Sequence, residues 1–433
     1  QTINIGANGE LVITNNGSLT IQGPGASVVT VSGNNVSNVF KVSAGTVTID
    51  GIKVATGRIG IWNLGTLNLI NSIVSGNTTV GIFKARAHML TDTRNSGHST
   101  NNTYGIAGIY TTATMTITGS TISNNSATDF QSDGGGIGLY GGFLTITRSI
   151  ISGNSGTYAG GIQLFGGSGV LITDTTISGN TARQGGGGIS KWISSSSVPI
   201  SIVNRTISGN TAGSGAGINT WASPVTITNS TISNNSASYK GGGIYMVDSS
   251  TQLKVTNSTI TGNRANTGNL GGDGGGIYAE PALPIPNSTL NSTIVAGNLI
   301  GTGTTPNDLS GHPITSAANS LIGDSATSGG IVNGVGGNKV GFAVSSILNT
   351  TLANNGGPTQ THALVANSPA IDAGSNTVPT PLDFDQRGTG FPRIINDPSI
   401  ANVADGTDIG AFEFEDATPP TVTSIDDGDA DDS

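Results

Sequence analysis

The chain has 433 residues and a net charge of −9, yet only 9% of its residues are charged, against about 25% in ordinary globular proteins. That balance argues against nucleic acid or an anionic membrane as partner, and no apolar run is long enough for a transmembrane helix. The absence of cysteine excludes disulfide and thiolate chemistry and suits an exported protein as well as a cytosolic one.

The sequence starts at Gln1 in strand pattern, with no initiator methionine or signal peptide, and is read as a processed or trimmed export product. Within 18–54, SLTIQGPG, VVTVSGNN, VFKVSAG and TVTIDGIKV alternate apolar and polar residues, the mark of half-buried strands. Between Asn77 and Ile109 the chain reads FKARAHMLTDTRNSGHSTNNTYG in part, longer than the equivalent turn elsewhere. An inserted loop is expected near 78–108, and insertions in repeat proteins tend to mark binding faces. Lys84, Arg86, His88, Asp92, Arg94 and His98 are the ligand candidates there. A solvated loop lying on the coil is the simpler alternative. A metal is not expected, because His88 and His98 have neither cysteine nor an HExxH-type spacing beside them.

From residue 118 one phrase recurs. It reads TGSTISNNSA…GGGI at 118–137, TRSIISGNSG…GGI at 147–162 and TDTTISGNTA…GGGGI at 173–189. VNRTISGNTA…GAGI (203–218), TNSTISNNSA…GGGI (228–244) and TNSTITGNRA…GGGI (256–277) follow. The asparagine closing each phrase steps through Asn125, Asn154, Asn180, Asn210, Asn235 and Asn263, at intervals of 29, 26, 30, 25 and 28 residues. Such a period means a solenoid. Each period holds three short strands, and three apolar columns can be read down the repeats. One runs Leu69, Ile117, Ile146, Ile172, Ile202, Ile227, Val255. A second runs Val74, Ile122, Ile151, Ile177, Ile207, Ile232, Ile260, Ile294. A third begins at Ile82 or Ile109 and continues through Ile137, Ile162, Ile189, Ile218, Ile244 and Ile277. Three columns predict an all-β, three-sided, right-handed parallel β-helix over 1–305. Equivalent positions then stack about 4.8 Å apart. A repeated charge would repel itself, whereas Asn, Ser and Thr form hydrogen-bonded ladders.

Two departures from the repeat are candidate sites. Charged and aromatic residues precede each GGGI: Asp129, Asp133, Tyr158, Arg183, Tyr239, Lys240, Arg264 and Asp273. A polysaccharide lyase would need a base, from Arg183, Lys240 or Arg264, and a carboxylate cluster, from Asp129 and Asp133. Paired carboxylates at glycosidase spacing are scarce, and solvated turn residues are the simpler reading. An aromatic column, Tyr140, Phe165, Trp192 and Trp221, is either a sugar platform or a structural stack.

After Asn298 the repeat fades into degenerate coils and a C-terminal cap over 306–416. Asp372, Asp385, Arg387, Asp408 and Glu413 are read as a charge network under that cap, structural rather than catalytic. The final segment, 417–433, is an acidic linker, and it resembles the start of a truncated Ig-like module. Its acids depart from the EF-hand spacing. Calcium is the one cofactor considered, and none is assigned.

Several motifs carry a family resemblance. The repeat resembles pectate-lyase-like β-helices and polymorphic outer-membrane-protein repeats, the latter through GGGI. LANNGGPTQTHALVANSPAIDAGSN (352–376), DFDQRG (383–388) and DGTDIGAFEFE (405–415) resemble the end of choice-of-anchor Q domain proteins. The resemblance implies a secreted protein of a bacterial surface. The expected role is structural or adhesive, with self-association end to end and a carbohydrate or cell-surface ligand as partners. A polysaccharide lyase and a rigid spacer are the alternatives.

Overall fold

A computed structural model describes residues 1–433 except 6–8, 15, 85, 87, 101–104, 128, 130–132, 192–196, 249–250, 281–287, 312–313, 378–380 and 416–433. The described chain coils into four stacked sheets. The first sheet has 14 strands, from Thr2–Asn4 to Lys339–Val340. The second runs from Leu11–Ile13 to Leu309–Gly311 and the third from Ser18–Gln22 to Ser316–Ala318, with 12 strands each. A narrow fourth sheet of nine two-residue strands runs along the corner between the first and second. Its small inward column is Ala182, Ala212 and Ala237. Among the described residues the only helical pieces are two 3-10 turns, Val335–Gly337 and Val344–Ser346.

The three apolar columns stand in register. Ile117, Ile146 and Ile172 pair across successive coils, as do Ile122, Ile151 and Ile177, and Ile137, Ile162 and Ile189. All are shielded from water in one continuous core. Ile82 and Ile109 both belong to the third column, on consecutive coils. The second column passes from Ile260 to Val295, not Ile294, and on to Ile322. Ile294 faces outward.

The corners explain the repeat's invariable polar letters. The residue before each ladder asparagine is left-handed: Asn124 (φ 54), Gly153 (φ 63), Gly179 (φ 62), Gly209 (φ 62) and Asn234 (φ 57). Only glycine and asparagine take that conformation cheaply, hence SGN alternating with SNN. The GGGI glycines serve close approach instead. A Cβ on Gly161 would lie 2.5 Å from the Gly188 carbonyl of the next coil.

The expected insertion at 78–108 is a coil of the stack. Its strands are Val80–Lys84, His88–Thr91, Arg94–Ser96 and Ser99–Thr100. The asparagine count skipped it because its corner residue is His98.

The tail is also placed differently from expectation. It does not close the end of the coil but lies along the outer face of the first sheet. Ile347, Leu348, Leu364, Ile371, Ile409 and Phe412 form a second core with the outward-facing Ile294 and Leu321. Thr206 Oγ1 donates to the Gln360 carbonyl (2.5 Å), and Thr231 Oγ1 donates to Gln386 Oε1 (2.6 Å). The Ala411 amide donates to Thr259 Oγ1 at 3.1 Å. The threonine column of TIS, a solvated face elsewhere, becomes the tail's docking surface.

Twelve to fourteen layers at about 4.8 Å give a rod of roughly 60 Å. Far-ultraviolet circular dichroism should show β-structure with negligible helix, and small-angle scattering an elongated particle; a strong helical signal would contradict the architecture.

Candidate functional site

The charged strip runs beside the second sheet, but its members are occupied separately. Lys240 Nζ lies 2.9 Å from Glu280 Oε1 and 4.8 Å from the centre of the Tyr278 ring. The same carboxylate oxygen accepts the Tyr245 hydroxyl at 2.5 Å. Burial alone would lower the Lys240 ammonium, but Glu280 and Tyr278 outweigh it and hold its pKa above the ordinary value. A base must be neutral to take a proton, so Lys240 is held in the wrong state. Arg264 Nη1 donates to the carbonyls of Gly301 (2.7 Å) and Gly303 (2.6 Å). Arg183 binds the preceding coil through its backbone amide, which donates to the Gly156 carbonyl at 3.0 Å.

Asp133 is buried and accepts the Tyr140 hydroxyl. Burial raises its pKa, partly offset by that hydrogen bond. Asp129 offers its backbone carbonyl to Thr157 Oγ1 at 3.0 Å. Asp273 accepts from Asn307 Nδ2 and Ser310 Oγ, both at 2.6 Å. Among the described residues no three His, Asp or Glu side chains converge on a metal-sized site.

The aromatic column is a stack of rings along the outer face of the second sheet. Tyr140 and Phe165 lie 4.2 Å apart at 15°, and the stack extends upstream through Tyr110 (4.5 Å), Phe83 (4.8 Å) and Trp62 (5.7 Å). Sequence reasoning missed these three because they stand one residue after the column isoleucine, not three: Tyr110 pairs with Gly138, and the Tyr140 ring lies over that glycine to reach it. Their in-register pairing, Trp62 with Phe83 with Tyr110, was the available signal. Phe83, Tyr110, Tyr140 and Phe165 spend faces on one another, worth about 0.5–1.5 kcal/mol per pair, while Trp62 meets Phe83 edge-on at 73°. A sugar platform needs free faces. Trp192 lies outside the described residues, and Trp221 is half-buried.

The loop candidates separate. Arg86 and Arg94 are exposed, whereas Lys84, His88 and His98 are buried in the coil. No single surface ligand can reach both sets. Asp92 sits at a left-handed corner (φ 46).

The tail charges form a network around two arginines. Arg387 pairs with Asp385 at 2.8 Å and donates to the Glu413 carbonyl at 2.8 Å. Its guanidinium lies between the Phe391 and Phe412 rings, 3.9 and 4.0 Å from their centres. Arg393 lies 3.2 Å from Glu413 and donates to the carbonyls of Asp408 (2.7 Å) and Gly410 (2.8 Å). Asp408 accepts the amides of Asp372 (2.8 Å) and Phe414 (2.6 Å). Burial pushes its carboxyl up to about 7. Arg387 and Arg393 tie these segments together, which is what holds a tail with little regular structure, while Arg393 Nη1 and Asp372 Oδ1 have no hydrogen-bond partner. A cleft of about 610 Å³ lies where the tail meets the coil, lined by Asp174, Asn204, Pro381, Asp383, Phe384 and Arg387 among others.

With this geometry in view, residues 101–355 match the family model described as the right handed beta helix region. The chain belongs to the right-handed β-helix family. No curated protein matches it. The match fixes the handedness of the coil and begins just past the layer whose corner is His98.

One residue of this β-helix breaks a second ladder. At the corner between the third and first sheets, Ser120 donates its amide to Ser149 Oγ, and Ser149 donates to Thr175 Oγ1, both at 3.1 Å. Ser230 and Ser258 continue the pattern. Between Thr175 and Ser230 stands Arg205, fully buried, with Nε, Nη1 and Nη2 all unpartnered. Burial lowers its pKa, opposed by Asp174, but an arginine stays charged in proteins. A lone buried charge costs several kcal/mol. Arg205→Ser should therefore stabilise the protein, by on the order of 2 kcal/mol, and raise the melting temperature. An unchanged or lower melting temperature would show that the guanidinium finds a partner.

Proposed function

We propose that this β-helix is a structural and adhesive rod of a bacterial surface or extracellular matrix, acting by presenting surface rather than by catalysis. One observation carries the reading: Lys240, Arg264 and Asp133, three of the groups that could serve a lyase, are already held by partners within the coil. Lys240 is held by Glu280, Arg264 by the Gly301 and Gly303 carbonyls, and Asp133 by Tyr140. The low charge and the long hydrogen-bonded corners point the same way, toward persistence of shape.

The reading includes association end to end. Among the described residues, Ile3, Leu11, Val12 and Leu19 are exposed on strands that stand at the end of their sheets. Open strand edges take up further strands, and head-to-tail contacts that do not close make filaments.

Uronic-acid polymers incubated with the protein, with and without calcium, should give no unsaturated product. Product that disappears in Lys240→Ala or Arg264→Ala would overturn the reading in favour of a lyase. Electron microscopy at high concentration should show end-to-end filaments, and dispersed single rods would remove the association.

A further inference from the structure

The layer at 80–100 turns polar groups inward where its neighbours are apolar. Asn95 stands in the second column between Val74 and Ile122, with neither Oδ1 nor Nδ2 partnered. His88 stands between Leu67 and Met115, with both ring nitrogens unpartnered. Lys84 is buried beside them, its Nζ 3.5 Å from the Thr114 carbonyl.

His98 occupies the corner where other layers carry asparagine. Its Nδ1 accepts the Asn77 backbone amide at 3.0 Å, with Asn77 Nδ2 at 3.3 Å. Its Nε2 lies 3.1 Å from the Val74 carbonyl and must carry the hydrogen. The imidazole thus copies an asparagine amide, Nδ1 for Oδ1 and Nε2–H for Nδ2, but only while neutral. A second proton on Nδ1 would point N–H at N–H. The ring packs over Gly81, where a Cβ would lie 2.4 Å from Nε2. The described groups around it, Val74, Asn77, Gly81, Asn95 and Asn125, are uncharged and give an imidazolium no counter-charge. The charged group facing His88 is Lys84, a cation. Arg86 and Arg94 are exposed, and Asp92 is at the corner.

We propose that this layer is an acid-sensitive seam, closed by neutral His88 and His98 and opened by their protonation, which uncouples the coils before it from those after it. The titration agrees in sign. Burial pushes His98 down to about 3. Burial and then Lys84 push His88 well below its ordinary value. The opened layer therefore binds protons that the closed layer refuses. Closure is fully favoured above about pH 6.5 and weakens as the pH falls below it, by about tenfold per unit for each histidine. Burial also lowers the Lys84 amine to about 7, so opening relieves a third group. Besides the strand pairing common to every layer and the Phe83–Tyr110 ring stack on its far side, few side-chain contacts strap the seam. The tail's hydrogen bonds to the first sheet begin at Thr206, and the ring contact entering the layer, Trp62 to Phe83, is edge-on at 73°.

Hydrogen exchange of the full chain at pH 7.5 and pH 5.5, corrected for intrinsic rates, tests the proposal. Peptides from 80–100 should open about a hundredfold more at the lower pH, a tenfold change per histidine, while peptides from 225–279 stay constant. The double variant His88→Met, His98→Asn, which installs the neighbours' residues, should keep its protection at pH 5.5. Unchanged protection of 80–100 in the unaltered protein would overturn the seam, even if the variant failed to fold. So would a folded variant that loses protection as the parent does.

Discussion

Everything in this molecule hangs on a column of buried amides at one corner of the coil. Asn125 gives its backbone N–H and its Nδ2 to Oδ1 of Asn154, at 3.1 and 2.9 Å. Asn154 repeats this with Asn180, and so on through Asn210, Asn235, Asn263 and Asn298. The other Nδ2 hydrogen returns to the coil before, as from Asn154 to the Ile122 carbonyl at 3.0 Å. Each side chain is thus satisfied only if the next layer stands directly above it. Apolar columns tolerate sliding, whereas a directional amide fixes the register. The last acceptor is Asp308, which takes the Asn298 amide and Nδ2 on Oδ1 and the Asp324 amide on Oδ2. It accepts without needing a further layer to donate to. A carboxylate therefore suits the end of the ladder, although burial raises its pKa to about 6.

The same constraint accounts for the sparse charge and for where charge survives. Inside the stack each position meets its own copy about 4.8 Å away, so ionisable groups are confined to single layers. Arg205, Lys191, Lys84 and the buried histidines are exceptions inside the coil. The tail is free of the repeat and uses charge differently. Arg387 and Arg393 tie together segments with few strands, then the tail presses Ile347, Ile371 and Phe412 onto Ile294 and Leu321. Stacking builds the rod and the tail clamps one flank of it.

The architecture was legible because period and apolar alternation are properties of sequence alone. Ile146, Ile151 and Ile162 declared their columns. The layer at 80–100 was not legible. Histidine copies asparagine in geometry but not in letter, and Asn95 removed the isoleucine that would have marked the strand. The tail's position was hidden for another reason. Thr206, Thr231 and Thr259 look identical to the exposed threonines upstream, and only the folded chain shows which are covered. Of the candidate site residues, Lys240, Arg264 and Asp133 were found by type. Their partners Glu280, Gly301 and Tyr140 lie 40, 37 and 7 residues away, spacings that no short motif records.

The central claim is that the amide ladder, rather than the apolar columns, sets the stacking. It is tested most directly by denaturant unfolding of Asn180→Leu against Ile177→Val, two substitutions in one layer. Leucine adds apolar surface to the interior but strands the Asn154 amide and Nδ2. The account predicts a loss of about 3 kcal/mol or more for Asn180→Leu, at about 1–3 kcal/mol per stranded donor. Ile177→Val should lose only about 0.5–1.5 kcal/mol. An Asn180→Leu protein as stable as the parent would contradict it.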